Sequence, residues 1–307
     1  MSLAGAPREY SPVPKTENFQ WYVEQVAQGE VHGHAITETL VSGRSEYQAY
    51  AIVRSALFGK MLVLDGDTQS SELDEQIYHE SLVHPACVAF GGDPRRALIL
   101  GGGEGASLRE LLRLRGIERV TMVDIDGEVV QACRRHMPEW GAGAFEDARA
   151  ETVIGDARSY VFASQQQYDV IIGDLTEPLS DSPSVQLHTP EMYRAIQARL
   201  SSGGVFALQA STSGPHNCTL HVQMIDRLRE IFALVVPYSV YVPAFDTEWG
   251  FALCGSGFAV EQQTEAGARA AAAYAQSLPG LGYYDAVSHR RMFNLPRFLR
   301  DAYRGGA

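Results

Sequence analysis

Four apolar runs in this chain each deliver a carboxylate where the run ends: Glu104 after "LILGGG", Asp124 in "TMVDID", Asp156 in "TVIGD" and Asp174 in "VIIGD", with Glu177 three residues further on. One such acid can serve as an ordinary helix cap, which stabilises by about 1 kcal/mol. Four in succession also describe a rim of negative charge around one crevice. Strand ends are where loops present the polar groups that apolar strands cannot carry.

The glycine stretch "LGGGEGAS" narrows what that crevice holds. A glycine-rich turn from strand to helix lets backbone approach a ligand, and a free helix N-terminus favours a phosphate. Glu104 lies inside this turn, where its carboxylate repels pyrophosphate. The GxGxxG spacing and a Walker lysine are both missing, which disfavours NAD and ATP. An acid here suits an amine. Asp124, about 20 residues beyond the glycines, has the spacing of an acceptor for both ribose hydroxyls. Asp156 at the next strand end is placed to accept from an adenine amino group. Ribose, adenine and an ammonium without phosphate together describe an S-adenosyl sulfonium compound, which aminopropyl transfer and methyl transfer both use.

The elements that must position these acids are legible as pattern. From "RALILGGG" through "ASLRELLRLR", "RVTMVDID", "GEVVQACRRHM", "AETVIGD", "YDVIIGD", "PEMYRAIQARL" and "GGVFALQAS", short apolar runs alternate with helical segments. That alternation predicts an α/β, Rossmann-like doubly wound sheet covered on both faces. "HVQMIDRLREIF", "LVVPYSVYVPAF" and "EWGFALCGS" add a helix and a closing strand pair, and "EAGARAAAAYAQS" reads as a surface helix. Before this, Trp21 to Ser71 alternates in strand fashion with turn signals at Gly43, Gly59 and Asp65-Gly66, which predicts a small antiparallel sheet. A helix over "DEQIYHESLVHPACVAF" follows. The expected division is an N-terminal extension over 1–20, a small β domain over 21–73 and a catalytic domain over 74–307.

Composition sets the partners. The chain has 307 residues, 45% of them hydrophobic, enough to build a substantial core. Its 37 acidic against 25 basic residues give a formal net charge of −12, which disfavours nucleic acid or an anionic membrane and suits a cationic ligand. The opening "MSLAGAPREYSPVPKTENF" lacks a signal-peptide core and no run of about 18 apolar residues occurs, so a cytoplasmic protein is expected. Cys87, Cys133, Cys218 and Cys254 lie far apart, and His84, His136, His216 and His221 have no ligand spacing. Neither a disulfide framework nor a metal site is expected.

The segments "GKMLVLDGDTQSSELDEQIYHESLVHPA", "GGGEGASLREL", "MVDIDGEVV", "GDA", "YDVIIGDLTEP" and "VFALQA" resemble the polyamine aminopropyltransferases, the family of spermidine, thermospermine and spermine synthases. The resemblance runs from about Trp21 to "YYDAVSHRRMFNLPRFL", nearly the whole chain. "IIGDL..P", "QL.T" at Gln186 to Thr189 and "VVPYS...P.....WG" at Val235 to Gly250 look more like thermospermine synthase. Methyltransferases share the cofactor half but not the small sheet with "LDG" and "IYHE".

The resemblance implies decarboxylated S-adenosylmethionine as co-substrate, its aminopropyl chain passing to a di- or triamine and leaving 5'-methylthioadenosine. Carried over by position, Gln48, Glu104, Asp124, Asp156 and Ala157 hold the donor. Tyr78, His79, Glu177, Gln209 and Trp249 surround the acceptor, and Asp174 is the base. Without the resemblance, His79 reads as a residue packed or capping within its helix, and Tyr78 and Trp249 as core aromatics. Two departures bear on the acceptor: Glu177 stands where the family usually has Asp, and Phe245 where a Tyr commonly faces the amine. A homodimer is the family's usual state. The alternatives are an S-adenosylmethionine-dependent N-methyltransferase and a catalytically silent polyamine-binding protein.

Overall fold

In the computed structural model the described residues are 19–304, except 28, 92 and 179–182; most of the expected N-terminal extension therefore lies outside them. The chain opens on five strands, β1 (Gln20–Ala27), β2 (Glu30–Arg44), β3 (Ala49–Ser55), β4 (Gly59–Leu64) and β5 (Asp67–Ser71), paired in sequence order as an antiparallel meander. β4 turns into β5 over Asp65 and Gly66, both at positive φ (48° and 98°), which a two-residue hairpin of the favoured hand requires. Asp65 sits in that turn, whereas Asp67 is the first residue of β5.

The helix Glu75–Phe90 follows and is buried along nearly its whole length. It packs beneath the second sheet with the helix Glu265–Ser277 on its other side, so even its polar residues Glu75, His79, Glu80, Ser81 and His84 are buried. The alanine-rich helix is amphipathic, burying Gly267, Ala268 and Ala271, whose small side chains permit close approach.

Seven strands form the second sheet: β6 (Arg96–Gly101), β7 (Arg119–Asp124), β8 (Ala150–Ile154), β9 (Tyr168–Asp174), β10 (Leu200–Thr212), β11 (Leu234–Val242) and β12 (Thr247–Gly255). Their order is β11-β12-β10-β9-β6-β7-β8. The five from β6 to β10 pair in parallel, and β11 and β12 close the edge antiparallel. Leu98, Ile99, Leu100, Ile171 and Ile172 are fully buried at its centre, as continuous apolar runs in a doubly covered sheet must be. From β6 the chain winds outward through β7 and β8, then returns to β9 on the other side of β6. The carboxyl ends of β6 and β9 thus border a topological switch point, where an open α/β sheet leaves a crevice. This is the expected architecture, a Rossmann-like sheet preceded by a small antiparallel one. Cys87, Cys133 and Cys254 are buried among apolar neighbours, and Cys218 is half-buried.

Candidate active site

Gly101 ends β6 beside Asp174 at the end of β9, and their backbones meet closely: Gly102 N–H donates to the Asp174 carbonyl at 2.9 Å. A Cβ on Gly101 would fall 2.2 Å from that carbonyl oxygen, and one on Gly103 would fall 2.7 Å from Asp124 Oδ2. Glycine is therefore required here to let the turn lie against two carboxylate-bearing strand ends. The cleft beyond holds about 930 Å³, counting space continuous with solvent, which suits a small-molecule ligand. Glu104, Asp124, Asp156 and Asp174 all line it, as do Gln48, Ala157 and Tyr78.

On the β7 side, Asp124 Oδ1 accepts the N–H of Asp126 at 2.8 Å. Burial, with the negative charge of Asp126 and Asp174 adding to it, pushes the Asp124 carboxyl up to about 6. Asp126 caps the helix Gly127–His136 by accepting from Glu128 N and Val129 N, both at 3.1 Å. Its other oxygen accepts from Ser45 Oγ at 2.6 Å and Gln48 Nε2 at 3.0 Å. One aspartate thus ties the small sheet to the large one and fixes Gln48 at the cleft. Asp156 fills both roles open to it in the sequence. It caps the helix Ala157–Ala163 through Arg158 N and Ser159 N, and it lines the cleft.

Asp174 is gripped at both oxygens. Tyr78 Oη donates to Oδ1 at 3.1 Å and Ser107 Oγ donates to Oδ2 at 2.6 Å. Burial and the adjacent Asp174 and Glu104 carboxylates hold the Tyr78 phenol far above its ordinary value, so it stays a protonated donor. These two bonds orient one carboxylate face toward the cleft.

His79, expected beside the acceptor, is not among the residues lining the cleft. It is fully buried, with Nε2 2.5 Å from Glu104 Oε1 and Nδ1 3.2 Å from Glu75 Oε2, and Arg109 Nη2 closes the row 2.8 Å from Glu75. Burial disfavours an imidazolium, but the carboxylates of Glu104 and Glu75 outweigh it and hold His79 protonated well above its usual value. Glu104 Oε2 is buried and has no hydrogen-bond partner among the described residues.

Glu177, Gln209 and Trp249, the remaining acceptor candidates, are not among the residues lining the cleft. Glu177 Oε1 accepts from Ser211 Oγ, and its backbone carbonyl accepts from Ser184 Oγ at 3.0 Å. Burial raises the Glu177 carboxyl, and the bond from Ser211 partly offsets it. Gln209 Nε2 donates to the Leu175 carbonyl at 2.7 Å. Phe245 lies between Tyr78, edge-on with ring centroids 6.1 Å apart, and Trp249, tilted with centroids 4.8 Å apart.

Sequence reasoning missed Ser107, Asp126, Ser211, and the small-sheet side chains Leu62, Leu64 and Gln69 that line the cleft. "DTQSS" is a strand of polar residues, yet Thr68, Ser70 and Ser71 are buried, an arrangement that needs a polar neighbour. Among the described residues, no group of three His, Cys, Asp or Glu side chains is placed to hold a metal ion, and no helix is long and apolar enough to cross a membrane.

Two family profiles cover most of the chain, one described as "Spermine/spermidine synthase domain" over residues 75–264 and one as "Spermidine synthase tetramerisation domain" over residues 20–72. The chain belongs to the polyamine aminopropyltransferase family. It is 41% identical over 289 residues to the polyamine aminopropyltransferase of Aeropyrum pernix, covering 92% of this chain and 90% of that protein. Over 239 residues it is 44% identical to the polyamine aminopropyltransferase of a Synechococcus strain (JA-2-3B'a(2-13)), 77% of each chain. Among solved structures, the spermidine synthase of Thermotoga maritima matches with a TM-score of 0.84 and 26% identity, covering 98% of this chain and 99% of that one. A spermidine synthase in complex with the transition state analogue AdoDATO matches with a TM-score of 0.85 and 26% identity, covering 94% of this chain and 96% of the other.

Proposed function

We propose that the protein transfers the aminopropyl group of decarboxylated S-adenosylmethionine to a di- or triamine and releases 5'-methylthioadenosine. The observation that carries this reading is the Asp174 carboxylate, held by Tyr78 and Ser107 at the edge of a cleft whose opposite wall carries Asp124. Asp124 and Gln48 receive the ribose, Asp156 and Ala157 the adenine, and the free oxygen of Glu104 the donor's ammonium. Asp174 orients the attacking amine and takes its proton. The nitrogen lone pair so released forms the new N–C bond as the C–S bond breaks and its electrons neutralise the sulfonium. General-base assistance of this kind contributes about 10²- to 10⁴-fold, and alignment of nitrogen, carbon and sulfur supplies much of the rest.

Two further features support the reading. No Lys or Arg is among the described residues lining the cleft, so an S-adenosylmethionine carboxylate has no counter-ion there, which disfavours methyl transfer. The row Tyr78–Phe245–Trp249 offers apolar ring surface suited to an alkyl amine, with Glu177 and Gln209 beside it for its other nitrogen. We read the acceptor as spermidine, with putrescine its competitor. His79 acts behind the site: burial raises the Glu104 carboxyl, and the imidazolium opposes that rise.

We also read residues 21–73 and 74–307 as two folding units in a cytoplasmic homo-oligomer. Trp21, Val23 and Val31 lie exposed on one face of the β1–β2 pair, 60%, 53% and 65% accessible, and such a face suits burial against a second copy. Light scattering tests the assembly. The function is tested by incubating the protein with decarboxylated S-adenosylmethionine and putrescine, spermidine or other amines, then identifying products by mass spectrometry. An amine extended by one aminopropyl unit supports it, and no extended amine from any acceptor rejects it.

A further inference from the structure

Ser211 holds a backbone conformation that serine rarely adopts, with φ at +65°. It lies where β10 slips against β12: Gln209 faces Phe251 and Thr212 faces Trp249, so three positions on one strand span two on the other, a β-bulge. Its side chain is buried, 1% exposed. The bulge aims the residue toward the segment that leaves β9. Ser211 Oγ donates to Glu177 Oε1, Ser211 N donates to Gln209 Oε1 at 2.9 Å, and Gln209 Nε2 reaches the Leu175 carbonyl at 2.7 Å. Glycine would take this φ without strain. What serine adds at the position is the hydroxyl, spent on Glu177.

We infer that Ser211 is a positioning residue that selects the amine: its hydroxyl pins the Glu177 carboxylate back against β10 and keeps the space beside Asp174 open to a triamine. Glu177 reaches one methylene farther than an aspartate would. Unrestrained, it has the length to swing toward Asp174, occupy the path of the amine and pair with a nearer nitrogen. Drawn back by Ser211, it stays outside the main cleft and faces a distal nitrogen instead. This inference rests on the proposed role of Glu177 in receiving the acceptor.

Ser211→Gly removes the hydroxyl while keeping the backbone conformation free of strain, and Ser211→Ala removes it with the strain retained. Steady-state kinetics on wild type and both variants, with spermidine and putrescine, provide the test. A hydrogen bond to a charged group corresponds to about tenfold or more in binding, so KM for spermidine should rise by about that factor in Ser211→Gly. The donor KM and the kcat at saturating amine should stay within about twofold, and the preference for spermidine over putrescine should fall. Should Ser211→Ala fold poorly, Ser211→Gly alone decides. An unchanged amine KM and spermidine preference in Ser211→Gly, an equal rise in donor and amine KM, or exclusive use of putrescine by the wild type overturns the inference while leaving aminopropyl transfer intact. A wild-type protein that extends neither amine rejects the functional reading itself, and this inference with it.

Discussion

Tyr78 Oη donates to Asp174 Oδ1 at 3.1 Å across the junction between the buried helix Glu75–Phe90 and the end of β9. The contact joins residues 96 positions apart and places against a carboxylate a phenol that burial and the surrounding carboxylates hold well above its ordinary value. A carboxylate with one such donor on each oxygen is fixed in direction, yet keeps lone pairs for a substrate proton.

If Asp174 takes that proton, Asp174→Asn should lower kcat by about 10²-fold or more, because the amide cannot accept an ammonium proton. The amide oxygen can still accept from one of the two hydroxyls, and the Ser107 hydroxyl can turn to accept from the amide nitrogen, so the fold and methylthioadenosine affinity should persist. Stopped-time product assays with parallel calorimetry make the comparison. A near wild-type kcat would reduce Asp174 to orienting the amine.

Asp124 gives the donor site a pH dependence with a definite sign. Its carboxyl is raised to about 6 by burial in the ligand-free protein, and only the ionised form accepts from both ribose hydroxyls. Methylthioadenosine affinity should therefore weaken as pH falls through about 6 and level off above it. Asp124→Ala should weaken binding about tenfold at neutral pH and abolish this dependence. Calorimetric titrations across that range that show the same slope in the variant would place the titrating group elsewhere.

The His79–Glu104 pair is buried, and removing one member leaves the other's charge uncompensated, a loss of about 3 to 5 kcal/mol. His79→Ala should be destabilised by about the lower figure, since Glu104 can take up a proton. The folded value of His79 lies well above 6.5, so its contribution is fully present below 6.5 and is lost as pH rises through the raised value. The stability gap between wild type and variant should be full below pH 6.5 and narrow progressively as pH rises to strongly alkaline values, as urea denaturation at the two extremes would show. A gap that widens with pH would mean that His79 is neutral in the folded protein.

Much of this site was legible because strand ends are legible. Glu104, Asp124, Asp156 and Asp174 end four parallel strands of one sheet, so the alternating pattern that predicts the sheet also places them along one edge. Tyr78 and His79 show where pattern fails. Successive helical residues point about 100° apart, and here Tyr78 lines the cleft while His79 is fully buried, a difference that sequence alone does not report. Ser107, Asp126 and Ser211 escaped notice for another reason. Each looks like an ordinary helix, turn or strand residue until the fold brings Asp174, Gln48 or Glu177 against it. Gln69 comes from the other sheet, and no local pattern reports how two sheets meet.

The most direct measurement offers the protein equal amounts of decarboxylated S-adenosylmethionine and S-adenosylmethionine with spermidine, and identifies the nucleoside released. The acid-lined cleft, with no cation among its described lining residues, predicts 5'-methylthioadenosine in step with an aminopropylated amine, and no S-adenosylhomocysteine. S-adenosylhomocysteine accompanied by a methylated amine would contradict the account.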